Sequence, residues 1–190
     1  MNVLILALFL TPVFDFNDEQ PTTRERILIE TTINKCKNAK VKLDPVFMMQ
    51  LLRIEKAFTN PSVYHYYEGM TLTRACRESG FNPLAIGDNG KAVGLYQWWS
   101  WADVDRKDPV ASALYLYERI HYQLNNKNKV ERYCGRYLRR LAKRKGYEEM
   151  KKQEWRIAYV RSIRGFHPSG RCTTWHTPKE FKLHRKWYKK

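Results

Sequence analysis

Several devices of enzyme chemistry are missing from this chain. It has four cysteines, Cys36, Cys76, Cys134 and Cys172, but no C-x-x-C pair, so the spacing of a zinc site is absent and no structural metal is expected. It has no phosphate-cradling Gly-rich loop, no Gly-x-Ser-x-Gly elbow and no His-Glu-x-x-His pair. Cys76 has no His with a reason to pair with it, which leaves a cysteine nucleophile without its base. The apolar run at residues 3–9, VLILALF, is too short to span a bilayer, and a mean hydropathy of −0.65 argues against a multi-span membrane protein. Acids are scarce, 19 Asp and Glu against 35 Lys and Arg.

What is present points to an ordinary globular domain. Hydrophobic residues make up 43% of 190, enough for a sizeable core and too many for disorder. The net charge of +16 is concentrated at one end: residues 129–190 hold 20 Lys and Arg against 5 Asp and Glu, a net +15. Such a face collects on polyanions, whether cell-wall polymer, lipopolysaccharide, anionic lipid or nucleic acid, and charge alone does not choose among them. An even cysteine count permits two disulfides in an oxidising compartment, with three pairings open; four buried thiols are the alternative.

The organising stretch is residues 74–98, RACRESGFNPLAIGDNGKAVGLYQW. Leu72, Ala75 and Cys76 continue a helix that Ser79-Gly80 and then Pro83 bring to an end, with Glu78 in its last turn. There the negative end of the helix dipole, together with burial against Leu72 or Phe81, would favour the protonated acid that proton donation requires. Beyond it lie the turn residues Asn82-Pro83 and Gly87-Asp88-Asn89-Gly90, and then Gly94-Leu95-Tyr96-Gln97. Gly94 permits close approach of a ligand or backbone, while Tyr96 and Gln97 offer a stacking face and hydrogen bonds for a polar ring such as a sugar.

Along the rest of the chain, helices are expected from Thr22 to about Asn38, from Asp44-Pro45 to Asn60-Pro61, and after Asp108-Pro109, each Asp-Pro pair reading as an N-cap with Pro in the first turn. Residues 100–107 read as a loop, bordered by Trp98, Trp99 and Trp101, which either stack on sugar or pin the loop down. A basic helix is expected within residues 127–152, marked by Tyr133, Tyr137, Leu138 and Leu141, and another at 153–163 with Trp155, Ile157, Ala158 and Tyr159. Three segments are expected: an apolar leader at 1–20 that is a secretory signal, a packed N-terminus or a membrane-touching anchor; a folded domain at 21–178; and a basic, aromatic tail at 179–190 with Phe181, His184, Trp187 and Tyr188.

Glu78-Ser79-Gly80-Phe81-Asn82-Pro83, followed by Ala85, Gly90, Ala92 and Gly94-Leu95-Tyr96-Gln97, resembles the signature of the soluble lytic transglycosylases, the lysozyme-like enzymes that cut peptidoglycan. Tyr96 stands where many relatives have Met. The resemblance implies a mostly α, lysozyme-like single domain of the α+β lysozyme superfamily, with helices around a sugar-binding cleft. It implies Glu78 as general acid and then base, Ser79 near the substrate's N-acetyl group, and Tyr96 and Gln97 in the cleft. Ala158-Tyr159 partly matches the family's Ala-Tyr-Asn block, which suggests Tyr159 as the tyrosine facing the acid.

The implied reaction cleaves the β-1,4 bond between N-acetylmuramic acid and N-acetylglucosamine, leaving a 1,6-anhydro product, with one carboxylate and no cofactor. The expected partners are peptidoglycan strands, other anionic envelope polymers and a virion or envelope-spanning assembly, with nucleic acid the remoter polyanion. The expected location is extracytoplasmic, exported or virion-associated. Two readings compete: a hydrolytic muramidase with Asp88, Asp103 or Asp105 as second acid, and a non-catalytic basic protein that binds wall polymer or nucleic acid.

Overall fold

The computed structural model describes residues 20–125, 130–164 and 179–188. Residues 1–19 of the apolar leader, and Cys172, lie outside them. Eight helices and a small three-stranded sheet are described. The chain opens with α1 (Thr23–Lys35), where Thr22 and Glu25 form a reciprocal capping box. Asp44 caps α2 (Pro45–Phe58) by accepting the Val46 N–H at 2.9 Å, with Pro45 in the first turn. Asn60 caps the short α3 (Pro61–Tyr67) in the same way, and α4 (Met70–Ser79) follows.

Helix α4 is the axis of the fold. Met70 to Cys76 and Ser79 are all buried, and it packs against α2 and α8 (Lys179–Tyr188). Its N-cap is Gly69, which has no side chain to cap with, and the missing acceptor comes from another helix. The Glu55 carboxyl of α2 accepts the N–H groups of Gly69 (2.7 Å) and Thr71 (2.8 Å) and the Tyr117 hydroxyl (3.1 Å). At the other end Gly80 adopts a left-handed conformation (φ 62°), and a side chain there would place Cβ 2.2 Å from the Asn38 carbonyl. The loop after α1 clamps this end through the Cys36–Cys76 disulfide, Asn38 Nδ2 on the Cys76 carbonyl and Lys40 N on the Gly80 carbonyl. Cys134 is also disulfide-bonded.

The stretch with the turn residues Asn82-Pro83 and Gly87-Asp88-Asn89-Gly90 and the Gly94-Leu95-Tyr96-Gln97 step builds a meander of three two-residue strands: β1 (Ile86–Gly87), β2 (Ala92–Val93) and β3 (Trp98–Trp99). The strands are antiparallel in the order β1-β2-β3, with Ile86 opposite Val93 and Ala92 opposite Trp99. Strands this short carry no period-2 signature.

Asp108 caps α5 (Pro109–Asn125) through Val110 and Ala111. Helices α6 (Val130–Lys145) and α7 (Tyr147–Arg164) form an antiparallel hairpin that turns at Gly146 (φ 87°), so the helix expected from residue 153 begins six residues earlier. The last segment corrects the expectation of a basic tail. Residues 179–188 are the packed helix α8, with Phe181 against Trp155, Tyr159 and Tyr67, the His184 ring at 2.9 Å from the Glu68 carbonyl, and the Tyr188 hydroxyl bonded to Thr32. The burying face, Phe181, His184 and Tyr188, follows helical spacing; the basic residues Lys182, Arg185 and Lys186 face solvent.

Candidate active site

Glu78 lies in the last turn of α4 with its side chain 23% exposed. Its surroundings differ from the apolar pocket expected from sequence. Arg77 Nη1 donates to Glu78 Oε1 at 2.7 Å, and Arg74 Nη1 stands 3.9 Å from the same oxygen. Both guanidiniums also reach Glu180, a buried carboxylate on α8: Arg74 Nη1 at 3.1 Å from Oε1 and Arg77 Nη1 at 2.5 Å from Oε2. A burial this complete for Glu180 is tolerable because two cations neutralise it.

Arg74 is the hub that joins Glu78 to the sheet. It is itself buried, donates through Nη2 to the Tyr96 carbonyl at 3.1 Å, and lies over the rings of Tyr96 and Trp98. The two halves of the sequence signature are therefore in contact. Ala85, in the stretch between the two blocks, accepts from Gly94 N (2.9 Å) and Gln97 Nε2 (3.1 Å) of the second block.

The remaining predicted residues fall into place as supports. Ser79 is buried and its hydroxyl donates to the Ala75 carbonyl at 3.1 Å, within its own helix. Tyr96 is fully buried with its hydroxyl on Thr71 Oγ1, so its ring belongs to the core and offers no stacking face to a ligand. Gln97 holds a left-handed backbone (φ 54°) and spends both amide hydrogens on the Ala85 and Gly94 carbonyls, bracing the meander. The close approach at Gly94 is to backbone: a Cβ there would sit 1.6 Å from the Arg106 carbonyl oxygen.

Tyr159 lies beside the arginine that reaches Glu78. Its buried hydroxyl stands beside the Arg74 guanidinium, within electrostatic reach of Glu180 and Glu78, without a partner at full hydrogen-bond geometry. Burial raises its proton affinity well above that of an ordinary tyrosine, so it stays neutral.

The tryptophans divide. Trp98 is buried and donates to the Ser112 carbonyl at 3.3 Å, while Trp99 and Trp101 are 42% and 46% exposed. Lys91 lies near the Trp99 ring and Arg119 over the Trp101 ring. Leu84 and Ile86 are exposed as well. The candidate second acids Asp88, Asp103 and Asp105 are all exposed, and Asp105 accepts from Lys107 N in its own turn.

Sequence reasoning missed Arg74, Arg77 and Glu180. The i,i+4 spacing of Arg74 and Glu78 signalled the first contact. For Glu180 the sequence carries no local signal; the helical spacing of Phe181, His184 and Tyr188 marks only the packed face of α8. Among the described residues no group of three His, Cys, Asp or Glu is placed to hold a metal, and no helix is long and apolar enough to cross a membrane. Comparison with protein families, with curated proteins and with solved structures found no match for this chain.

Proposed function

We propose that the protein is a peptidoglycan lytic transglycosylase with a lysozyme-like fold, in which Glu78 is the catalytic acid and base. One observation carries the reading: the buried Arg74 donates to the Tyr96 carbonyl of the second signature block and stands 3.9 Å from Glu78 of the first, a partly exposed glutamate in the last turn of the central helix. The helical architecture with a small antiparallel sheet accords with it.

In this reading Glu78 protonates the departing glycosidic oxygen between N-acetylmuramic acid and N-acetylglucosamine while the substrate's own N-acetyl group assists at the anomeric carbon. The resulting carboxylate then takes the proton of the muramyl 6-hydroxyl, whose oxygen closes on the anomeric carbon and gives the 1,6-anhydro sugar without water. The exposed rings of Trp99 and Trp101 supply stacking faces. Glu180 does not serve as the second acid of a hydrolase, because it is buried and bound by two arginines. The solvent-facing Lys and Arg of α6 and α8 favour contact with anionic envelope polymers. The disulfide at Cys36 and Cys76 favours an oxidising, extracytoplasmic location, reached by export or within a virion.

Clearing of a suspension of purified peptidoglycan tests the reading. Wild-type protein is expected to clear it and Glu78→Gln, with an unchanged circular dichroism spectrum, to leave it turbid. Equal clearing by both would sink the assignment of Glu78.

A further inference from the structure

We propose that the cavity between α2, α3, α5 and α7 is a second binding site, one that takes a single neutral sugar ring. It has a volume of about 340 Å³ and lies where the end of α2, the start of α3, the last turn of α5 and the first half of α7 meet. It shares no lining residue with the arginines around Glu78, so the inference goes beyond the proposed catalytic role. That volume is at the small end for ligand sites, room for one ring and too little for a strand.

Two side chains of the lining are polar and buried, Thr59 (4% exposed) and Trp155 (1%). Neither Thr59 Oγ1 nor Trp155 Nε1 has a hydrogen-bond partner among the described residues. The other polar groups of the lining are engaged with one another: Asn60 Oδ1 accepts from Ser62 N (2.9 Å) and Oγ (2.8 Å), Asn125 bonds to His121, and Lys151 Nζ stands 3.0 Å from Glu154 Oε2. The Trp155 ring is stacked against Tyr67 and Tyr159, with centroids 4.2 and 5.3 Å away, so its N–H is not free to turn toward another acceptor. A buried polar atom without a partner lowers stability, and a ligand that supplies the partner recovers that loss on binding.

The unpaired atoms and the paired ones together select the ligand. An indole N–H only donates, whereas a threonine hydroxyl donates and accepts, and ligand hydroxyl groups can satisfy both. Lys151 and Glu154 are spent on each other, so neither is left to hold an ionic ligand. Phe58, Pro61 and Leu124 give the same cavity apolar surface for the carbon-bound hydrogens of a ring. A neutral ring with hydroxyls on its edge and C–H groups on its face is a sugar.

Nuclear magnetic resonance of the nitrogen-15-labelled full chain, titrated with N-acetylglucosamine, tests this at the indole N–H of Trp155, assigned through Trp155→Phe. A shift that saturates in the millimolar range is expected, in wild type and in Glu78→Gln alike. Thr59→Val should weaken the affinity about fivefold without lowering the melting temperature, because the hydroxyl has no bond within the fold to lose. Ala57→Trp, at an exposed position of the lining, should abolish the shift and keeps the test decisive where Thr59→Val does not fold. Diacetylchitobiose acting on the same signal identifies the ring as the end of a glycan strand; a site that takes the monosaccharide alone binds free sugar. A Trp155 signal unmoved by the sugar, or an affinity unchanged in Thr59→Val and Ala57→Trp, overturns the inference. No cleavage enters the readout, so a protein that leaves peptidoglycan intact overturns the proposed function alone.

Discussion

The carboxyl of Glu55 accepts the backbone N–H of Thr71 at 2.8 Å, so the helix whose last turn carries Glu78 is capped by a side chain 16 residues upstream on another helix. Burial pushes this carboxyl up to about 8 from an ordinary 4.5, against the pull of its hydrogen-bond donors. The folded state therefore keeps a proton between those values that the unfolded chain has already lost, and stability falls as pH rises through that window. The slope is at most about 1.4 kcal/mol per pH unit. Thermal melts of wild type from pH 5 to 8.5 should show the decline, and Glu55→Gln should flatten it. A wild-type melting temperature that climbs steadily to pH 8 would count against this picture.

Cys36 and Cys76 are 40 residues apart, and their bond fastens the end of α4 to the loop after α1. Replacing both with Ala should cost about 2–4 kcal/mol in denaturant unfolding. Cleavage activity should fall further than global stability alone explains, since Gly80 and Glu78 lose their clamp. Full activity in a destabilised variant would show that the clamp is purely structural.

Gly94 faces the Arg106 backbone so closely that no side chain fits, and its φ of 86° disfavours one independently. Gly94→Ala is expected to lose about 3 kcal/mol or more, because the obstacle is backbone and cannot swing aside. Gly90 has the same φ with open space around it and serves as the control: Gly90→Ala should lose clearly less.

Trp99 is largely outside the core, so Trp99→Ala should leave the melting temperature nearly unchanged. If the ring stacks on the glycan, its loss removes about 1 kcal/mol of binding, read as about a fivefold rise in the peptidoglycan concentration needed for half-maximal rate. An unchanged concentration dependence would place the binding face elsewhere.

The sequence made local features legible and hid distant ones. Asp44-Pro45, Asp108-Pro109 and Ser79-Gly80 mark helix ends through the chemistry of adjacent residues, and the helices begin and stop there. The two-residue strands depend on pairing across turns and leave no periodic trace. Tyr96 and Gln97 sit inside the signature yet face inward, because which side of a meander is buried depends on what packs beneath it, here Arg74 and Thr71. Glu180 is 106 residues from Arg74, and nothing near it in sequence announces that a lone acid in a basic segment will become the counter-ion of a buried arginine.

The central claim is best tested by the masses of the muropeptides released from purified peptidoglycan by the wild-type protein and by Glu78→Gln. Anhydro-muramyl products from the wild type, absent with the variant, are the predicted result. Reducing-end products heavier by one water would contradict the account and identify a hydrolase.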